Sequence, residues 1–253
     1  MHNGLFPKFI KGRIVKKEAL EYMRDFPRDL VSAAFSDYSD GILFGFTVSC
    51  QDNKVIIVSE GVCKHQGEII VIPEIALPVY EYGQLLCINL EIGELEESTD
   101  YDTRHIEVAL TKYKPSNVNG LELGRFSLSR GAKLRCKHDS FKDLQTPENT
   151  LNIIHVPYAS IGGHTLNPAV IRKFANELLK LSSDSIDVNF ALMCLGGNVV
   201  HRSSIQWFTA KKTGGSYEEY DMPTMYEKLN FILSQYGKQD VKPERIKKRP
   251  IIM

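Results

Sequence analysis

Residues 42–73, ILFGFTVSCQDNKVIIVSEGVCKHQGEIIVIP, decide the fold class. Four short runs rich in β-branched residues, ILFGFTVSC, KVIIVSE, GVCKH and EIIVIP, are separated by QDN, a Ser-Glu-Gly step and QG, a pattern of short strands and tight turns. A meander of hairpins is expected. LLCINLEI (85–92), TRHIEVALTKY (103–113) and LGRFSLSR (123–130) carry the β pattern to about Arg130, with GELEESTDYD (93–102) as a solvated turn between strands.

The period differs on either side. From Lys17 to Phe35, Leu20, Met23 and Phe26 fall at helical spacing until Pro27, which predicts a short helix, a kink and a second short helix. After a poorly patterned stretch, TLNPAVIRKFANELLKL (165–181) offers Asn167 as N-cap, Pro168 in the first turn, and Val170, Ile171, Phe174, Leu178 and Leu181 on one face. Three more helices are expected in 184–197, where the closing glycine pair suits a left-handed stop, in 199–212, and in 222–236, where Met225, Leu229, Ile232 and Tyr236 recur on one side. The predicted fold is therefore α+β: a β-rich N-terminal half preceded by a short helix, then a helical C-terminal domain. The expected divisions are an arm and helix at 1–36, a β-rich domain at 37–130, a connector at 131–163, a helical domain at 164–236 and a basic arm at 237–253.

Composition excludes more than it selects. The chain has 253 residues, 31 basic and 31 acidic side chains and 43% hydrophobic residues, which suits an ordinary globular protein and names no charged partner. No secretion signal is visible at the start, and apolar windows break well short of the ~20 residues of a membrane span, so a soluble product is expected. Five cysteines, an odd number thinly spread, fit reduced thiols in a cytoplasmic setting rather than a disulfide framework.

Candidate chemistry is sparse. FSDYSDGILFG (35–45) lacks the alternating ligands and twelfth-position glutamate of a calcium loop; Asp37, Ser39 and Asp40 instead suit side chains bonding their own backbone ahead of Gly41. Cys-Lys-His occurs at 63–65 and 136–138, and two such pairs could in principle enclose a tetrahedral zinc, yet they lie 73 positions apart in differently patterned regions. SIGGHT (160–165) and KKTGGS (211–216) are not phosphate-binding loops, and neither Gly-x-Ser-x-Gly nor His-Glu-x-x-His occurs. Glu96 and Glu97 sit in a polar link where water screens them, while His155 and His164 flank VPYASIGG and read as structural. No catalytic, cofactor-binding or metal-ligating residue is assigned, and a non-enzymatic role is expected. One alternative is a DNA-binding regulator using a helical hairpin at 184–212, with His201, Arg202, Ser204, Gln206, Lys211 and Lys212 as donors. Another, less favoured, is a carbohydrate-binding or hydrolytic tail protein.

The order of features resembles a family of prophage-encoded proteins of Gram-positive bacteria, found with the tail genes of contractile phages and phage-tail-like (R-type) bacteriocins. The residues that carry the resemblance are the Gly-Arg-Ile-Val opening at 12–15, FPRD at 26–29, DYSDGI at 37–42, SEGVCKHQGEI at 59–69, ELGRF at 122–126 and LNIIHVPYASIGG at 151–163. Members are sometimes labelled helicases, a label at odds with the missing phosphate-binding loop. The resemblance implies a structural component of a contractile tail baseplate, present in multiple symmetric copies. It would be made in the bacterial cytoplasm, would contact other baseplate and tail subunits, and could link them to receptor-binding fibres. Residues 1–16 and the final 16 are the segments expected to order on those neighbours.

Overall fold

The computed structural model describes residues 6–51, 55–79, 82–113, 120–197 and 199–236. The basic C-terminal arm, the first five residues and most of the QDN step lie outside the described residues. The architecture is α+β: one α-helix, nine strands in three antiparallel three-stranded sheets, a short 3-10 helix at Lys142–Gln145, then four α-helices among the described residues. None of these helices is long and apolar enough to cross a membrane.

Helix α1 spans Lys17–Ala34 as one element, with Pro27 inside it rather than between two helices. The meander follows, with a difference from the sequence reading. Strands β1 (Gly41–Gly45) and β2 (Val48–Gln51), expected as one run, are separate and belong to different sheets. So are β3 (Val55–Val58) and β4 (Gly61–His65), and likewise β5 (Glu68–Ile72) and β6 (Ile75–Pro78). The pairing of β3 with β2 and β6, and of β4 with β1 and β5, shows why: three long antiparallel paths all break at one level, giving two short sheets from one meander.

The break has identifiable causes. Gly45 and Phe46 both have positive φ, 83° and 53°, and a Cβ on Gly45 would come within 2.3 Å of the Glu60 carbonyl oxygen. Only glycine fits there. The Phe46 ring fills the space above Gly61, and Ser59 Oγ accepts from Thr47 N–H at 2.9 Å, so the bend in the first path is bonded to the bend in the second. In the third path Pro73, which has no N–H to give to a ladder, falls at the same level.

The third sheet holds β7 (Leu85–Glu96) between β8 (Thr103–Lys112) and β9 (Gly120–Ser127). The link expected at 93–102 is shorter, because Leu95 and Glu96 pair with Arg104 and Thr103 beyond a register shift.

The helical part contains α2 (Pro168–Leu181), α3 (Ser185–Gly196), α4 (Arg202–Thr213) and α5 (Met222–Tyr236). Asn167 Oδ1 accepts from Ala169 N–H at 2.8 Å and Pro168 opens α2, as the sequence predicts. Val170, Ile171, Phe174 and Leu178 are buried, but Leu181 at the end of α2 is exposed. The stop of α3 is not left-handed: Gly197 is extended, with φ −124° and ψ 169°.

Two large apolar cores result, one within the sheets and one among the helices, beside a small cluster of Leu43, Val62 and Ala159. The patternless stretch 131–163 contributes to both. Leu134, Leu151, Val156 and Tyr158 pack in the first, Phe141, Leu144 and Ile154 in the second, and Ile153 touches each. Isolated bridges from Asn152 to Arg125 and from Tyr158 to Ile42 fasten this stretch to the strands. Alternating allegiance between two cores explains why it shows neither helical nor strand periodicity.

Candidate interaction surface

Helix α1 buries none of its side chains, although Leu20, Met23, Phe26, Leu30 and Val31 recur at the spacing of an amphipathic face. Leu20, Met23, Phe26 and Leu30 are each more than half exposed. The preceding arm adds Phe9, Ile10, Ile14 and Val15, with Ile14 at 94% exposure. The polar side of the helix is neutralised along its own length, through Lys17 with Glu21 at 3.3 Å and Asp25 with Arg24 and Arg28 at 2.8 and 3.1 Å. Such exposed pairs contribute little. Pro27 removes one helical hydrogen bond and crowds the carbonyl four residues earlier, an interior cost of about 3 kcal/mol. Burial in the chain's own core does not offset that cost.

The helix is nonetheless firmly attached at its C-terminal end. Lys64 is 8% exposed, and its ammonium donates to the carbonyls of Phe35 at 2.9 Å, Ser36 at 3.0 Å and Tyr38 at 2.8 Å. A cation belongs at the negative end of a helix, and here it satisfies three acceptors at once. Phe35 packs edge-on against Tyr38 beside it. A second apolar surface lies on α3, where Ile186, Leu192, Met193 and Leu195 are exposed on a helix whose opposite side holds Phe190, Ala191 and Cys194 in the helical core.

The residues singled out from sequence take other parts. Asp40 does not bond its own loop: its carboxylate accepts from Gln66 N–H at 2.6 Å and Gly67 N–H at 3.2 Å, holding the β4–β5 turn. Gly41 has φ 134°, and a Cβ there would meet the Pro157 carbonyl oxygen at 2.8 Å. Ser39 N–H donates to the Ser160 carbonyl at 3.0 Å, tying the turn to the 131–163 stretch. In the first Cys-Lys-His, the middle lysine is the structural residue, while burial, with Asp40 nearby, pushes the Cys63 thiol up to about 11. In the second, Cys136 faces Cys50, and His138 Nε2 lies 2.6 Å from the Leu151 carbonyl. Among the described residues no group of three His, Cys, Asp or Glu side chains could hold a metal ion.

A cleft of about 290 Å³ opens beside the β1–β2 bend, lined by Phe46, Cys136, His138, Tyr158 and Arg172, without His155 or His164. Burial holds His155 below its usual pKa, with Arg125 adding to the effect. Glu96 and Glu97 are exposed.

Three of the six candidate donors of the helical hairpin, Arg202, Gln206 and Lys212, are engaged within the fold. Gln206 is fully buried beside the Tyr217 hydroxyl, and Arg202 donates to the Tyr220 carbonyl. Lys212 pairs with Asp184 at 3.0 Å and with the buried Asp187 at 2.9 Å, while Lys211 remains exposed. Ile205 and Phe208 are in the core, but Trp207 is half exposed and packs on Tyr217.

No protein-family model matches the chain, and no curated protein matches it. Among solved structures, the chain is similar to a crystal structure of TssK at 12% identity and a TM-score of 0.40, over 92% of this chain and 69% of that one.

Proposed function

We propose that this chain is a non-enzymatic structural subunit of a contractile tail baseplate, of a phage or a phage-tail-like bacteriocin, and that it works through protein–protein interfaces. The observation that carries the interface reading is the uncovered apolar face of α1. An 18-residue helix with an interior proline and no buried side chain has little reason to present Leu20, Met23, Phe26 and Leu30 to water unless a partner covers them. Fully burying side chains of this kind contributes roughly 1.5–3 kcal/mol each. The exposed side of α3 offers a second contact, as a subunit held between two neighbours requires.

The identity of the assembly rests on the motifs FPRD, DYSDGI and SEGVCKHQGEI and their order along the chain. In this reading the protein is made in the bacterial cytoplasm, enters the particle in several symmetric copies, and contacts other baseplate subunits, with the receptor-binding fibre as a further candidate partner. Removing its gene from the producing bacterium tests the proposal. Sheath and tube proteins should still be made, but baseplates should not be completed; normal contractile particles in its absence would refute it.

A further inference from the structure

We propose that Cys50 and Cys136 form a redox-modified pair that closes to an intramolecular disulfide, tying edge strand β2 to the 131–163 stretch. The two sulfurs are 3.0 Å apart although the residues are 86 positions apart in sequence. Cys50 lies on β2, an outer strand of the β2–β3–β6 sheet, and Cys136 follows the bridge between Arg135 and Thr150. Both are half-buried against the same core, so the backbones on either side are held by other contacts and the sulfurs meet without either segment having to travel.

Selectivity follows from the surroundings. Cys63, Cys87 and Cys194 are almost wholly buried, and burial pushes their thiols up to about 11, 12 and 12. Cys50 is the opposite case: a hydrogen bond from Cys136 lowers its pKa, and Cys136 is correspondingly raised by that bond and by burial. Cys136 also lines the cleft beside the β1–β2 bend, which gives small reagents a way in.

The oxidant in this step is a low-molecular-weight disulfide of the glutathione class. The Cys50 thiolate attacks one sulfur of that disulfide, forming a mixed disulfide and expelling one thiolate, which takes up a proton. Cys136 then gives its proton to solvent and attacks the Cys50 sulfur, breaking the mixed bond and releasing the second reagent thiolate. The protein is oxidised by two electrons, and one disulfide becomes two thiols. A reducing cytoplasm keeps the pair open, and an oxidising exterior closes it.

The test uses the full reduced chain incubated with oxidised glutathione. Free thiols should fall from the five of the sequence to three. The intact mass should drop by two hydrogens, and non-reducing peptide mapping should join Cys50 to Cys136. The melting temperature should rise by roughly 5–15 °C, as expected for closing a long loop in a chain of this size. The Cys50→Ser and Cys136→Ser variants should lose the two-hydrogen shift. Five remaining thiols, persistent glutathione adducts, a bond to another cysteine, or closure without a rise in melting temperature would each overturn the proposal.

Discussion

The Lys64 ammonium lies 2.8 Å from the Tyr38 carbonyl oxygen, and with Phe35 and Ser36 it completes a three-acceptor clamp on the end of α1. A helix without burial is thereby fixed to the central meander strand at one end. Lys64→Met leaves three carbonyls without their charged donor, and the expected loss is about 2–4 kcal/mol, or roughly 5–15 °C in melting temperature. Hydrogen exchange in α1 should accelerate more than in β7, and equal acceleration in both would contradict the clamp.

The β4–β5 turn is two residues long, and Gln66 and Gly67 both have positive φ, 50° and 81°. That is the type I′ geometry, which favours Asn-Gly over Gln-Gly. Gln66→Asn should raise stability by about 0.5–1 kcal/mol, and Asp40→Ala, which removes the acceptor for both turn amides, should lower it by about 1–2 kcal/mol. Chemical denaturation of the two variants checks both signs.

Stability should fall with acid in two stages. Burial holds His138 and His155 below their usual value of 6.5, so below that pH the unfolded chain takes up protons before the folded one and stability declines; above it both states are neutral and no change is expected. Asp143, held down chiefly by the hydrogen bond from Arg135 and helped by Asp139 N–H and Thr146, contributes stability that is present above the usual carboxylate range near 3.8 and lost as pH falls through its lower folded value. In melting temperatures measured across pH, His138→Gln should shrink the first stage to the part due to His155, and Asp143→Asn should flatten the second.

The sequence made the elements readable and hid their partners. Periodicity located α2 and α5 because their apolar faces meet the chain's own core, and the Asn167–Pro168 start is local chemistry. The break of the meander was hidden: it depends on Gly45, Ser59 and Pro73 reaching one level in three dimensions, a relation between neighbours that no single strand encodes. The same holds for Lys64, which looks incidental between Cys63 and His65 yet meets carbonyls 26 to 29 residues away. Helix α1 carried an amphipathic pattern without any sign that the pattern faces outward, since spacing records a face and not what covers it.

The proposed role in assembly depends on that face. Exchanging both Leu20 and Leu30 for lysine should leave the melting temperature of the isolated chain nearly unchanged, because both side chains are already more than half exposed. Expressed in the producing bacterium in place of the natural chain, the variant should accumulate as folded protein but be missing from purified particles, with baseplates incomplete. Particles that incorporate it at the natural level and contract normally would contradict the claim that α1 is an assembly surface.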